Sequence, residues 1–469
     1  MEKINKYKFS RKDYSIKGYF HFDYPEHISK VESYVKNPNK IALHSFFPLI
    51  GYKQEREKYT VNISEYTDGR PYKPASRPIK YAGHLDGYIY KYYANQLNCF
   101  YNEWASENGI DDSSIAYRGN KNGKSNIDFA AEVINYIAKQ EEAYILVGDF
   151  KGYFDSLNHH LLKKRIKEVL LTDYLANDWY NVFKSVTKYG YIDKNIIEDY
   201  FGIEAFLRQQ GYKKFTSIDK SLSDFRILHK IKSNESKKGI PQGVPISAVM
   251  ANVYAMNFDW KINSLVEKSN GLYRRYSDDF IIVIPKSLKG NSEEQFQTIV
   301  DTVYQLASEN ELIIAEEKTH KYRKISEQIF EMSKNTSSKT CKIDYLGFVY
   351  DGKTVTVRQK SIERFYTRMR KFVKLMQRKK TYNNKNWNKS VMKKIPHRNY
   401  IYGLFTDRGF KLENGSQKSN FIEYVKRSQR TFDKVSPNTE NAMLNQIKNR
   451  KKKLEKLLGK KIYVKQIDN

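Results

Sequence analysis

The feature that most constrains this chain is a short apolar run ending on an acid, AYILVGDF at 143–150. Nearly continuous hydrophobicity over so few residues predicts a buried strand, so the chain must build a sheet inside its core. That strand delivers the carboxylate of Asp149 at its tip. A second segment, LYRRYSDDFIIVIP at 272–285, reads as two apolar arms around a polar tip of Ser277, Asp278 and Asp279 and predicts a β-hairpin. Apolar spacing of three and four predicts helices over 81–104, 127–140, 157–171 and 293–310. At 239–266 a Gly/Pro loop feeds a long buried helix, with Ser247 near its start, and a further hairpin is expected over 345–357. Residues 66–78 read as turn-rich, 172–238 as irregular with helical stretches, and the end of the chain as basic helices. This mixture places the chain in the α+β class.

Composition narrows the function. With 40% hydrophobic and 14% aromatic residues, the 469-residue chain can bury a large core, which excludes wholesale disorder. Two cysteines, Cys99 and Cys341, exclude a disulfide scaffold, and nine scattered histidines offer no zinc cluster. No window approaches ~18 apolar residues and no signal-peptide stretch opens the chain, so the expectation is a cytoplasmic protein with no membrane partner. The formal charge is +30, of which +23 falls in residues 351–469 and +7 in all the rest. Such asymmetry attracts a polyanion, and the interleaved aromatics of RFYTRMRKFVKLMQRKK at 364–380 let one face pack while the other meets a phosphate backbone.

Three acids at strand tips repel one another unless cations neutralise them. Oxygen ligands without His or Cys favour Mg²⁺ or Mn²⁺, and a metal pair at Asp149, Asp278 and Asp279 would activate a 3′-hydroxyl while stabilising a leaving pyrophosphate. Read alone, Ser-Asp-Asp is equally ordinary turn chemistry.

The acids do not stand alone. In order and spacing the chain resembles a reverse transcriptase. Asp149-Phe150-Lys151-Gly152-Tyr153-Phe154-Asp155 resembles the family's first catalytic motif, and Gly239-Ile240-Pro241-Gln242-Gly243-Val244-Pro245-Ile246-Ser247 its second. Arg275-Tyr276-Ser277-Asp278-Asp279-Phe280 resembles the Tyr-x-Asp-Asp hairpin. Ala315-Glu316-Glu317-Lys318-Thr319 resembles the fourth motif, and Tyr345-Leu346-Gly347-Phe348 the primer grip. The resemblance implies an RNA-directed DNA polymerase with a right-hand fold of fingers, palm and thumb. It implies Asp149 and Asp278 as principal metal ligands with the Phe150 backbone carbonyl, Asp279 as the third acid, and Lys318 as proton donor or counter-charge to pyrophosphate. Phe154 falls where the family holds an aromatic gate against a 2′-hydroxyl, and Gln242 and Gly243 would line the nucleotide and template. Asp155 is expected to open the following helix as a cap. Arg118, Lys121 and Lys124 occupy the fingers region, where basic side chains clasp the triphosphate, with Arg118 preferred for its rigid fork.

The implied organisation is an N-terminal extension at 1–75, fingers at 76–142, a palm at 143–350 with inserted fingers elements at about 172–238, and a basic helical thumb and C-terminal domain at 351–469. The implied partners are an RNA template, dNTPs and a DNA product. A retron is disfavoured because Val355-Thr356-Val357 stands where a Val-Thr-Gly is usual. An appended zinc endonuclease is disfavoured because the tail holds His397 and no cysteine. Segments such as HFDYPEH (21–27) and NFIEYVKRSQRTFD (420–433) resemble bacterial defence-associated, abortive-infection reverse transcriptases, which implies phage defence with a small non-coding RNA. An endonuclease-less maturase and a catalytically silent RNA-binding scaffold remain as alternatives. An RNA-dependent RNA polymerase is opposed by Phe154. Protein priming, a homo-oligomer and a partner protein are left open.

Overall fold

The computed structural model describes residues 7–59, 72–216, 221–229, 231–287, 292–332, 340–381, 397–411, 417–435 and 439–464. Strands β1 (Leu49–Tyr59) and β2 (Tyr72–Tyr81) pair antiparallel, so the stretch expected to be a turn continues as strand from residue 72; residues 66–71 lie outside the described residues. The strand contains Pro74 and Pro78, which lack the amide a central strand must donate. It tolerates them because it lies at the edge of its sheet. The expected boundary at residue 75 thus falls inside β2.

The apolar run becomes β3 (Glu142–Asp149). It is the centre of a five-stranded sheet with β6 (Leu272–Tyr276), β7 (Asp279–Pro285), β8 (His320–Ile325) and β9 (Gln328–Glu331), in the order β6-β7-β3-β8-β9 with every pairing antiparallel. Alternate residues feed two cores. Tyr144, Leu146, Ile282 and Ile284 pack among the helices His84–Glu107, His159–Leu170, Ser247–Tyr254, Met256–Glu267 and Ser292–Glu309. Ala143, Ile145, Ile281 and Val283 face the helix Asn126–Lys139 and the C-terminal region. Coverage on both faces explains why the run is apolar throughout rather than alternating. A β-carbon at Gly148 would lie 2.2 Å from the Phe280 ring, so glycine lets the aromatic ring cross the strand.

Strands β4 (Gly190–Asp193) and β5 (Lys232–Ser233), from the segment expected to be irregular, extend the first hairpin through a parallel β1–β4 pairing. Strands β10 (Ile343–Tyr345), β11 (Phe348–Tyr350) and β12 (Val355–Val357) form a three-stranded antiparallel sheet where one hairpin was expected. The basic region follows as helices Gln359–Thr381, Arg398–Phe405, Phe421–Val435, Ala442–Ile447 and Arg450–Leu458. Two of its bases are structural: Lys426 and Arg450 close on buried Asp407 at 2.6 and 3.0 Å. Among the described residues no helix is long and apolar enough to cross a membrane.

Candidate active site

Register brings the acids together. Asp149 is the last residue of β3 and pairs directly with Asp279, the first of β7, while Tyr276 of β6 pairs with Asp279 across the two-residue tip Ser277-Asp278. The Phe150 amide donates to the Asp278 carbonyl at 3.0 Å, fastening the end of the first motif to the hairpin tip. The opposite flank is closed by Ala315, whose amide donates to the Asp149 carbonyl at 2.8 Å. That bond places the turn Glu316–Lys318 so that Lys318 Nζ donates to Asp149 Oδ1 at 2.7 Å.

The electrostatics are those of an under-neutralised acidic site. Burial raises the Asp279 carboxyl, and the charges of Asp278 and Asp149 raise it further, to about 7. Asp149 is also raised by burial, with Lys318 pulling against the shift. Burial alone would lower Lys318, but its bond to Asp149 and the charges of all three aspartates leave it raised. Among the described residues no three His, Cys, Asp or Glu side chains form a ready-made ligand cage. The donor set still fits Mg²⁺ or Mn²⁺. Mg²⁺ is usually held by one or two carboxylates plus substrate phosphates and water, not by an all-protein cage. Asp149 and Asp278 would hold such an ion, and Asp279 carries the charge deficit it would relieve.

The glycine-rich loop borders this site. Ile240 donates to the Phe154 carbonyl at 2.8 Å, and Ser247 Oγ donates back to the Pro241 carbonyl at 2.7 Å, anchoring both ends of the loop. Lys80 of β2 donates its amide to the Gln242 carbonyl at 2.8 Å. Gly243 sits at φ +114°, and a β-carbon there would lie 2.5 Å from the Lys80 carbonyl oxygen, so close approach of β2 requires glycine. Phe154 is half-buried against the larger core, one residue beyond buried Tyr153. Asp155 makes no cap; Asn158 caps the helix at 159–170 instead, its Oδ1 accepting from His160 and Leu161. In the primer-grip segment, Leu346 and Gly347 both have positive φ, as a tight two-residue hairpin between Tyr345 and Phe348 requires. Asn126 donates to the Leu346 carbonyl at 3.1 Å.

The fingers bases differ from expectation. The Arg118 guanidinium is buried over the Tyr101 ring and donates to Asn102 at 2.6 Å, Asp111 at 2.5 Å and the Ser114 carbonyl at 2.9 Å. Lys121 pairs with Asp111 and Asp112 at 2.6 Å each, and Lys124 lies 5.9 Å from the Phe129 ring centroid. Arg118 and Lys121 therefore brace their own loop instead of presenting an open clasp. Two cations on the neighbouring strand β2 face the same region. Arg77 is exposed, Lys80 lies over the rings of Tyr189 and Tyr191, and both act electrostatically on Asp155. Sequence reasoning missed them because prolines at 74 and 78 disguised an edge strand as a turn. The recoverable signal was two bases in RPIK (77–80), directly ahead of a helix.

Residues 76–350 match the family described as Reverse transcriptase (RNA-dependent DNA polymerase). No curated protein matches the chain. Among solved structures it is similar to apo telomerase from Candida tropicalis, at 12% identity and a TM-score of 0.42, covering 92% of this chain and 67% of that one. A C-terminally truncated form of that telomerase aligns at 14% identity and a TM-score of 0.40, covering 71% of this chain and 60% of that one. Telomerase from Candida albicans, in complex with a fragment of telomeric RNA, aligns at 13% identity and 0.34, covering 92% and 66%. The chain thus spans about 60–67% of the length of these structures. With the family match running over more than half of its length, the chain belongs to the reverse transcriptase (RNA-dependent DNA polymerase) family.

Proposed function

We propose that this protein is an RNA-directed DNA polymerase that adds dNTPs to a 3′-hydroxyl. The observation that carries the reading is the Asp149–Asp279 register pair beside the Asp278 tip, closed on one side by Lys318. Asp149 and Asp278 would hold Mg²⁺ or Mn²⁺, with the Phe150 carbonyl as a further oxygen. When bound, such a metal would lower the pKa of the attacking hydroxyl and offset charge on the leaving pyrophosphate. Lys318, held charged by the surrounding acids, stands ready to offset or protonate that leaving group. Gln242 and Gly243 line the nucleotide, and Arg77 and Lys80 contact its phosphates in place of Arg118. At a finer level, the segments at 21–27 and 420–433 support a place in bacterial antiphage defence with a small non-coding RNA as template, in the cytoplasm. The test is extension of an RNA-templated primer with labelled dNTPs and Mg²⁺; no extension, with dNTPs or rNTPs, overturns the reading.

Two outcomes bear on specificity. Phe154→Ala is expected to lower discrimination against rNTPs by roughly 10–100-fold, since removing the ring opens space at the 2′-position. Unchanged kcat/KM ratios for dNTP against rNTP remove Phe154 from that role. Arg77→Gln and Lys80→Met are each expected to raise the dNTP KM about tenfold while kcat falls less, the pattern of lost phosphate binding. Unaltered KM in both variants returns the phosphate contact to other residues.

A further inference from the structure

Arg275 is fully buried, and its guanidinium does more than pair a charge. Nε and Nη2 grip both oxygens of buried Asp259 at 2.7 and 2.6 Å, and Tyr273 donates to the same carboxylate at 2.7 Å. Nη2 also reaches Ser114 Oγ at 3.0 Å. Nη1 donates to Asn252 Oδ1 at 3.3 Å, on the helix that follows the glycine-rich loop, and to the Ser277 carbonyl at 2.8 Å. Ser277 has φ +62°, at the first loop position of a two-residue hairpin, a left-handed conformation normally left to glycine. Its carbonyl belongs to the peptide plane that leads into Asp278. Burying an ion pair is a poor way merely to fill space, because apolar residues of similar volume often stabilise as well or better.

We propose that Arg275 is a positioning residue: by holding the Ser277 carbonyl it keeps the strained tip in place and aims the Asp278 carboxylate at the reacting centre. The assignment rests on the polymerase reading above. The bond is charge-assisted, stronger than a neutral one, and lies out of water where no solvent competes for the carbonyl. The grip on Asp259 in turn fixes the guanidinium against the helix Met256–Glu267, so the tip is referenced to the core and not only to its own hairpin.

The test uses the full chain in two backgrounds, Arg275→Lys, which keeps a cation for Asp259, and Arg275→Met with Asp259→Leu, which leaves no buried charge. Each is made with and without Ser277→Gly, beside the wild type and Asp278→Asn. In variants that melt cooperatively, kcat is expected to fall about 100-fold with the dNTP KM within about threefold, as for a misplaced catalytic group. Adding Ser277→Gly is expected to recover roughly tenfold, because glycine holds positive φ unaided. Mn²⁺ affinity, read by electron paramagnetic resonance without nucleotide, is expected to fall alongside kcat and recover with it. A folded variant with unchanged Mn²⁺ affinity, or a loss that Ser277→Gly does not relieve, overturns the positioning role. So does failure of both backgrounds to fold, which would make Arg275 a support of the domain. A wild type that binds Mn²⁺ but extends no primer overturns the polymerase reading instead, and the Mn²⁺ series then decides on Arg275 by itself.

Discussion

Asp278→Asn is expected to leave a folded protein whose nucleotide incorporation is slower by about 10³-fold or more. The substitution keeps shape and removes one charge. The tip stays fastened, because the bonds that hold it end on its carbonyls and not on the carboxylate: the Asp278 carbonyl accepts from the Phe150 amide, and the Ser277 carbonyl from the Arg275 guanidinium. Stability falls little with the charge, since Asp278 raises both Asp149 and Asp279 by repulsion, and the Lys318 that it attracts is more than half exposed. Asp149→Asn should match it in rate. It also loses the Lys318 ion pair, but Lys318 is more than half exposed, so that pair adds little to stability. Single-nucleotide extension and thermal melting on the same preparations check both claims. Incorporation within tenfold of wild type in either variant would displace these acids from the site.

The parts of this site legible in the sequence are those where one physical constraint acts locally. A strand buried on both faces leaves little room for polar residues, so the apolar run at 143–150 announced β3 and its terminal acid. The second arm of the hairpin at 272–285 was readable for the same reason, whereas the first, read as apolar too, alternates in burial and carries Arg274 and Arg275. What stayed hidden depends on partners distant in the chain or on edge positions. Arg118 and Lys121 looked available because nothing in their own loop shows that Asp111 and Asp112 fold back onto them. The hairpin arm gave no sign that Arg275 is buried, since its counter-ion Asp259 lies on a preceding helix. β2 was obscured by prolines that only an edge strand accepts. The cap was assigned to Asp155 when Asn158, three residues on, held it. In each case residue type was read correctly and tertiary placement decided its use.

Asp279 makes a stability prediction independent of turnover. Its carboxyl is pushed to about 7 in the folded protein by burial and by the charges of Asp278 and Asp149. In the unfolded chain it has the ordinary aspartate value of about 3.9. Between those values the folded state keeps a proton that the unfolded state has released, so stability must decline as pH rises. The group imposes no penalty below about pH 4, a growing one up to about pH 7, and a constant one above, of about 2–4 kcal/mol. Asp279→Asn cannot ionise and escapes it. Without divalent metal, its denaturation midpoint should therefore exceed that of wild type by several degrees at pH 8, by less at pH 6, and should converge with it near pH 4. Mg²⁺ should narrow the gap at pH 8, because a cation between Asp149 and Asp278 offsets the two charges that raise Asp279, and any ligand bound to the native state stabilises it by mass action. Midpoints in EDTA that differ by the same amount at every pH would show that Asp279 is not under this strain, and with it would go the argument that the site is built with a charge deficit for a metal to fill.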